Sequence, residues 1–372
     1  MVAILALGFT VMVAVVGGEA YLRMKDRAWL QKRDSAIPGL PYEFVPNQKV
    51  RSRSAEYRIN AYGWRGPDFP VEKPPGENRI LFLGDSIVQG AFVSEEDCVA
   101  GRLESLWRAS SGHETTRVIN AGVSSYDLLA YVALYRGRAR EFDPDAVVIG
   151  ITMNDHQSFL PQSQAGFARK PRIWERSRLY NYLTRGFLRH ETGGWRLDGE
   201  RPDDESGDLG AVPFHDTDPE SAAALVQFAS RKGYPLGQIA DQYFRTLYDM
   251  DAWSHIREPL AEMRDLVRAD GASLLVAIFP LEFQIEPAYT YDQPQRLIRD
   301  ICEELGIPVV DATPILRELQ ESSGTGVFEV RSDVIHFNAA AHDATATAIF
   351  ETQTALAAAS TVPTAVEQSS QD

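Results

Sequence analysis

The stretch Arg79-Ile80-Leu81-Phe82-Leu83-Gly84-Asp85-Ser86-Ile87-Val88-Gln89-Gly90 turns abruptly from apolar residues to Gly-Asp-Ser. A compact apolar run that ends in turn residues reads as a strand buried on both faces. Four further runs have the same character: Arg117-Val118-Ile119, Ala146-Val147-Val148-Ile149, Leu274-Leu275-Val276-Ala277-Ile278-Phe279 and Ile307-Pro308-Val309-Val310. Between them lie helix-length patterns at Glu95 to Trp107, Tyr126 to Phe142, Trp253 to Ala269 and Pro294 to Leu305. Strand and helix alternating in this way predict an α/β fold, a three-layer α/β/α sandwich around a mostly parallel sheet, in one domain over residues 77–358. Ligands of such sheets bind beyond the carboxyl ends of the strands.

The chain has 372 residues, 44% hydrophobic and 24% charged, which excludes a disordered, collagen-like or disulfide-scaffold protein. A net charge of -15 repels phosphate backbones, so nucleic acid is not an expected partner. Cys98 and Cys302 are far apart, show no metal-ligand spacing, and read as buried thiols rather than a disulfide.

From Val2 to Gly18 no residue is charged, and the apolar run continues to Leu22 with Glu19 as its single charge. Residues 1–22 are therefore expected to form a transmembrane anchor or an uncleaved signal. Gly18-Glu19-Ala20 also offers a signal-peptide cut, against which stands the lack of basic residues ahead of the run. A buried globular helix is the third reading. Arg23, Lys25, Arg27, Lys32 and Arg33 follow the span, and taken literally the positive-inside rule leaves the bulk of the chain in the cytoplasm. Residues 23–76, rich in Pro and Arg, read as an extended lead-in, and residues 359–372 as a disordered tail.

The predicted strand ends carry the chemistry. Gly84-Asp85-Ser86 follows the first strand, Asn120-Ala121-Gly122 the second and Asn154-Asp155 the third, while Asp333-Val334-Ile335-His336 lies near the C-terminus. A nucleophilic serine needs a base, the base needs an orienting acceptor, and the oxyanion needs preorganised donors. Of seven histidines only His336 has an acid three positions earlier, a spacing that lets Asp333 meet Nδ1 and leaves Nε2 for the proton of Ser86. Taken alone, Ser86 after Gly-Asp also reads as a turn or helix cap, Gly122 as a tight turn and Asn154 as a turn residue. Asp155 reads as a brace for its loop and His156 as surface or pocket rim.

These four blocks, in this order, resemble the SGNH or GDSL hydrolases, and Tyr57-Arg58-Ile59-Asn60-Ala61-Tyr62-Gly63-Trp64-Arg65-Gly66 resembles the lead-in of their bacterial membrane-anchored members. The resemblance runs over roughly residues 58 to 352. Phe337 departs from the Pro or Leu common after the histidine, and Ala341-His342 from a common Gly-His. The resemblance implies an SGNH/flavodoxin-like fold, a catalytic set of Ser86, Asp333 and His336, and an oxyanion hole from the N–H groups of Ser86 and Gly122 with the Asn154 amide. It also implies no cofactor or metal, and a domain outside the cytoplasm. The chain holds no Gly-x-Ser-x-Gly elbow, zinc helix, phosphate loop or dinucleotide fingerprint.

The expected activity is a serine esterase acting through an acyl-enzyme on Ser86, on O-acyl groups of cell-envelope glycan or on short acyl esters. An O-acyltransferase or lysophospholipase would use the same residues, and an idle glycan-binding module is the alternative outside catalysis. The sequence leaves the oligomeric state open. The insert at 157–245 is expected to choose the substrate. Its Leu179, Leu183 and Phe187 at helical spacing, beside Arg176, Arg178, Arg185 and Arg189, read as a docked helix with a solvated basic face or as a surface for anionic glycan or headgroups. Residues 198 to 220 read as an acidic mobile loop.

Overall fold

The computed structural model describes residues 2–25, 30–52, 55–156, 219–233, 247–328 and 334–361. The basic pattern around Leu179, the acidic segment before Pro219, Asp333 and residues 362–372 lie outside these described residues.

In chain order, helix α1 spans Val2–Lys25. It is followed by the short strands β1 (Lys32–Arg33), β2 (Glu43–Phe44), β3 (Gln48–Ser52) and β4 (Ala55–Ile59). Then come β5 (Arg79–Gly84), α2 (Ser86–Gln89), α3 (Val99–Ala109), β6 (Arg117–Gly122), α4 (Leu128–Gly137) and β7 (Ala146–Thr152). The second half has α5 (Pro219–Lys232), α6 (Met250–Ser254), α7 (Arg257–Ala269) and β8 (Ser273–Phe279). It closes with α8 (Gln293–Leu305), β9 (Val309–Asp311), α9 (Ala312–Ser323) and α10 (Ala339–Thr361).

β5 to β9 form a five-stranded parallel sheet in the order β6-β5-β7-β8-β9. Successive side chains of a strand point to opposite faces, and both faces here are apolar. Leu81, Leu83, Val147, Ile149, Val276 and Ile278 pack with Leu134 of α4, Leu260 of α7 and Ile298 of α8. Ile80, Phe82, Val148, Leu275 and Ala277 pack with Leu103 of α3, Leu316 of α9 and Ile349 of α10 on the other side. The expected layers are thus present. The chain leaves β5 to one side for β6 and returns on the other for β7, so the loops after β5 and β7 flank the switch point where such sheets bind ligands.

Two expected helices are each broken. The pattern from Tyr126 to Phe142 ends as α-helix at Gly137 and resumes as a 3-10 turn over Ala139–Phe142. The pattern from Trp253 splits after Ser254, with Pro259, which has no N–H to give, placed in the first turn of α7 where none is needed. Both cysteines are buried free thiols, and burial pushes that of Cys302 up to about 12.

Of segment 23–76, expected as an extended lead-in, residues 30–52 and 55–76 are folded onto the domain. β1 with β2 and β3 with β4 are antiparallel pairs, and Phe44, Ile59 and Trp64 belong to the main core cluster. The buried Arg79 fastens the Pro-rich end by donating to the carbonyls of Pro70, Val71, Glu72 and Phe142 while pairing with Glu77. The stretch expected to span a membrane is helical, as α1, and its Phe9, Met12, Val13, Val16 and Tyr21 are exposed, but the span itself is not borne out. Among the described residues no helix is long and apolar enough to cross a membrane. Gly17, Gly18 and Glu19 interrupt the apolar character of the part of α1 whose side chains are described.

Candidate active site

Ser86 opens α2, a helix of only 4 residues. So short a helix has no stability of its own and must be held from outside. Asp85 caps its start, its carboxylate accepting from the Ile87 N–H at 2.8 Å. At its other end the carbonyls left over by the helix all find side-chain donors. Asn120 on β6 donates Nδ2 to Val88 O at 2.8 Å. The buried Arg65 donates Nη1 to the carbonyls of Gln89, at 2.9 Å, and Gly90, at 2.5 Å. Its Nη2 reaches Val93 O at 2.8 Å and Glu56 O at 3.2 Å. Gly90 then reverses the chain with φ 77°, a left-handed conformation that glycine adopts freely. The Tyr57 to Gly66 stretch, read from the sequence only as a family-like lead-in, therefore supplies the clamp on the nucleophile turn.

The geometry brings Ser86 and His336 together across 250 positions of chain, with Ser86 Oγ and His336 Nε2 at 2.7 Å. Both side chains are half-buried, so a substrate can reach them. The histidine loop is held from behind. Glu282 N–H donates to Val334 O at 2.7 Å, Phe337 is fully buried, and Asn338 Oδ1 caps the start of α10 by accepting from the Ala341 N–H at 3.1 Å. Lys232 of α5 pairs with the same Glu282, which ties the described part of the insert to this loop. The aromatic ring of Phe92 meets the His336 imidazole edge-on, with centroids 5.0 Å apart.

Asn154 lies in the turn after β7, half-buried, with Oδ1 buried and unbonded. The next residue braces that turn, as expected: Asp155 Oδ2 accepts from Thr152 N–H at 3.1 Å and from the Tyr131 hydroxyl at 2.9 Å. Burial, and then the charge of Asp85, hold the Asp155 carboxyl well above the usual carboxylate range, and burial likewise raises Asp85. His156 is not at a rim. It is fully buried and stacks on Trp253 of α6 with centroids 4.0 Å apart, because the turn directs it inward.

Gly122 has a steric explanation. A Cβ there would lie 2.3 Å from Gln89 N and 2.7 Å from Val88 C, so the backbone of α2 rests directly on this glycine. Its N–H donates to Asn120 Oδ1 at 3.1 Å. Asn120 thus bonds to both the nucleophile helix and the glycine beneath it. Nothing in the sequence marks Phe92, whereas Arg65 and Tyr57 are marked only by their place in the Tyr57 to Gly66 stretch and Asn120 only by its place in the block that ends at Gly122.

The GDSL-like lipase/acylhydrolase family matches residues 82–344. No curated protein matches the chain. Among solved structures, a two-domain esterase active on acetylated mannans, co-crystallised with mannopentaose, is 15% identical with a TM-score of 0.40, over 74% of this chain and 49% of that one. The chain spans about half the length of that esterase. A catalytic mutant of Axe2, an acetylxylan esterase from Geobacillus stearothermophilus, is 16% identical with a TM-score of 0.41, over 74% of this chain and 93% of that one. TesA is 15% identical with a TM-score of 0.40, over 75% of this chain and 99% of that one. With the family matched over most of the domain that carries Ser86 and His336, the chain belongs to the GDSL-like lipase/acylhydrolase family, the SGNH-type serine esterases.

Proposed function

We propose that the chain hydrolyses carboxylic esters through an acyl-enzyme on Ser86, acting on O-acyl groups of cell-envelope glycan or on short acyl esters. The observation that carries this reading is the 2.7 Å approach of His336 Nε2 to Ser86 Oγ at the carboxyl end of the sheet. His336 takes the hydroxyl proton as Oγ bonds to the ester carbon, and the carbonyl π electrons move onto oxygen. The Ser86 N–H, unused by the helix at its first position, and the Asn154 amide receive that negative charge. When the intermediate collapses, His336 passes its proton to the departing alcohol oxygen. Water then repeats the sequence against the acyl-enzyme, releasing the acid and restoring Ser86. Asp333 is proposed to hold the imidazole through Nδ1. Gly122, whose N–H is bonded to Asn120, is assigned to the close packing of α2 in the first place. It joins the oxyanion donors only by exchanging that bond.

The apolar α1 is proposed to attach the protein to a membrane, with the catalytic domain outside the cytoplasm. This rests on the uncharged stretch Val2 to Gly18 and on the exposed Phe9, Met12 and Val16.

The test is a panel of p-nitrophenyl esters of increasing acyl length with fluorophosphonate labelling of Ser86, for the wild type and Ser86→Ala. Wild type should turn over short esters and label. Ser86→Ala should lose labelling and drop kcat on the order of a million-fold, as in the subtilisin series. A Ser86→Ala variant that keeps more than about a hundredth of the activity sinks the mechanism. Acyl products on added sugar, rather than free acid, would mark transfer in place of hydrolysis. Labelling of intact cells by a membrane-impermeant probe tests the proposed side.

A further inference from the structure

We propose that Phe92 is a positioning residue for His336, fixed in an unfavourable backbone conformation by Tyr57 so that its ring aims the base at Ser86. Phe92 has φ 72°, in the left-handed region that a bulky side chain rarely adopts. Strain of this kind persists only where the surroundings over-determine it, and it concentrates at functional sites. Two backbone contacts hold Phe92 there. The Phe92 N–H donates to the Tyr57 hydroxyl at 2.5 Å, and the next residue's carbonyl, Val93 O, accepts from Arg65 Nη2 at 2.8 Å. Tyr57 and Arg65 form one unit, with the guanidinium 4.3 Å from the centre of the tyrosine ring.

A glycine would occupy this backbone position without strain, so the side chain must supply the reason for Phe. Its ring stands at 86° to the His336 imidazole with centroids 5.0 Å apart, the edge-to-face contact that aromatic rings prefer. Rotation about His336 χ2 is broad unless a neighbour restricts it. The Phe92 ring removes orientations in which Nε2 points away from Oγ, an alignment that governs proton transfer and not substrate binding. The lead-in therefore holds both partners of the pair: the nucleophile turn through Arg65, and the base through Tyr57 and Phe92.

The inference rests on the Ser86 and His336 reading of the site. Its test uses the full chain with Phe92→Gly, Phe92→Tyr and Tyr57→Phe, measuring kcat and KM for p-nitrophenyl acetate, the rate of fluorophosphonate labelling, and Tm. Phe92→Gly should lower kcat and the labelling rate together by about tenfold or more, with KM nearly constant and no matching fall in Tm. Phe92→Tyr, which restores a ring, should recover most of the loss. Tyr57→Phe should shift kcat in the same direction as Phe92→Gly. A rise in KM at constant kcat makes Phe92 a substrate contact and overturns the proposal. So does a Phe92→Tyr protein as slow as Phe92→Gly, or a Phe92→Gly protein as fast as wild type. An inactive, unlabelled wild type takes down the esterase reading as well, whereas an active wild type with an unaffected Phe92→Gly overturns only this inference.

Discussion

Gly122 separates two kinds of glycine requirement, since its constraint is contact rather than backbone conformation. The methyl group of an alanine would meet the α2 backbone at 2.3 Å, a distance no flexible side chain can relieve. Overpacking against side chains costs about 1–3 kcal/mol, and a rigid backbone puts this site at the upper end. Gly122→Ala should therefore lower Tm by several degrees and displace α2, so that kcat falls with stability. The check is thermal unfolding alongside turnover. A protein with normal Tm and lowered kcat would instead restore Gly122 to the oxyanion hole as its main role. By contrast, Asp155 does what the sequence suggested for a carboxylate beside Asn154, holding the turn through the Thr152 N–H. The inward, stacked His156 was not legible, because nothing in the sequence marks which side of a tight turn faces Trp253.

At the level of elements, the nucleophile helix depends on Arg65 more than on its own sequence. The flat guanidinium serves four carbonyls, on Glu56, Gln89, Gly90 and Val93, which a lysine ammonium on a thinner stem cannot do. Each buried carbonyl left without a donor costs about 1–3 kcal/mol. Arg65→Lys is expected to lower the denaturant midpoint and kcat together, the latter by at least about tenfold, as Ser86 loses its fixed place. Retention of full kcat would mean that Asp85 and Asn120 alone secure α2. The five sheet strands were legible since each is a short apolar run closed by turn residues, and the positions of Ser86, Asn154 and His336 followed from the blocks beside them. The helices α9 and α10 were not singled out. In α10, Ala and Thr fill most positions, so its buried stripe of Ala341, Ala346 and Ile349 has little apolar contrast with the exposed face. The lead-in hairpins were missed for a different reason. Strands β1 and β2 are 2 residues each, too short to show an alternation, and Arg65 looks like a surface residue until its four acceptors are in view.

Over the whole molecule, two buried groups below the site should give stability opposite dependences on pH. Burial, then the charges of Arg65 and His336, push His342 down to about 3. A base with a depressed folded pKa takes up protons more readily when unfolded, so its contribution is lost as pH falls from about 6.5 toward the folded value, by about 1.4 kcal/mol per pH unit. Asp155 is raised, so its folded form holds a proton that the unfolded form has released. Its contribution is lost as pH climbs from the ordinary carboxylate range through that raised value. Relative to wild type, His342→Leu should gain stability as pH drops from 6.5 to 5, and Asp155→Asn should gain as pH rises, both read from urea midpoints. Parallel slopes would remove one of the two assignments. At this scale appendage and domain part between α1 and the segment that follows it. The described side chains of α1 are largely exposed, whereas Phe44, Ile59 and Trp64 are buried in the main core and Arg65 grips α2. Removing residues 2–25 should leave cooperative unfolding and turnover of p-nitrophenyl acetate intact. Removing residues 2–66 takes away the buried side chains of Leu40, Phe44, Val50, Tyr57, Ile59 and Trp64, at about 1.5–3 kcal/mol each, along with the Arg65 clamp. Against a typical total of about 5–15 kcal/mol, that deletion should abolish the cooperative transition. If the chain beginning at Pro67 still melts cooperatively and turns over ester, then the lead-in only decorates the domain, and the clamp it forms on Ser86 is dispensable.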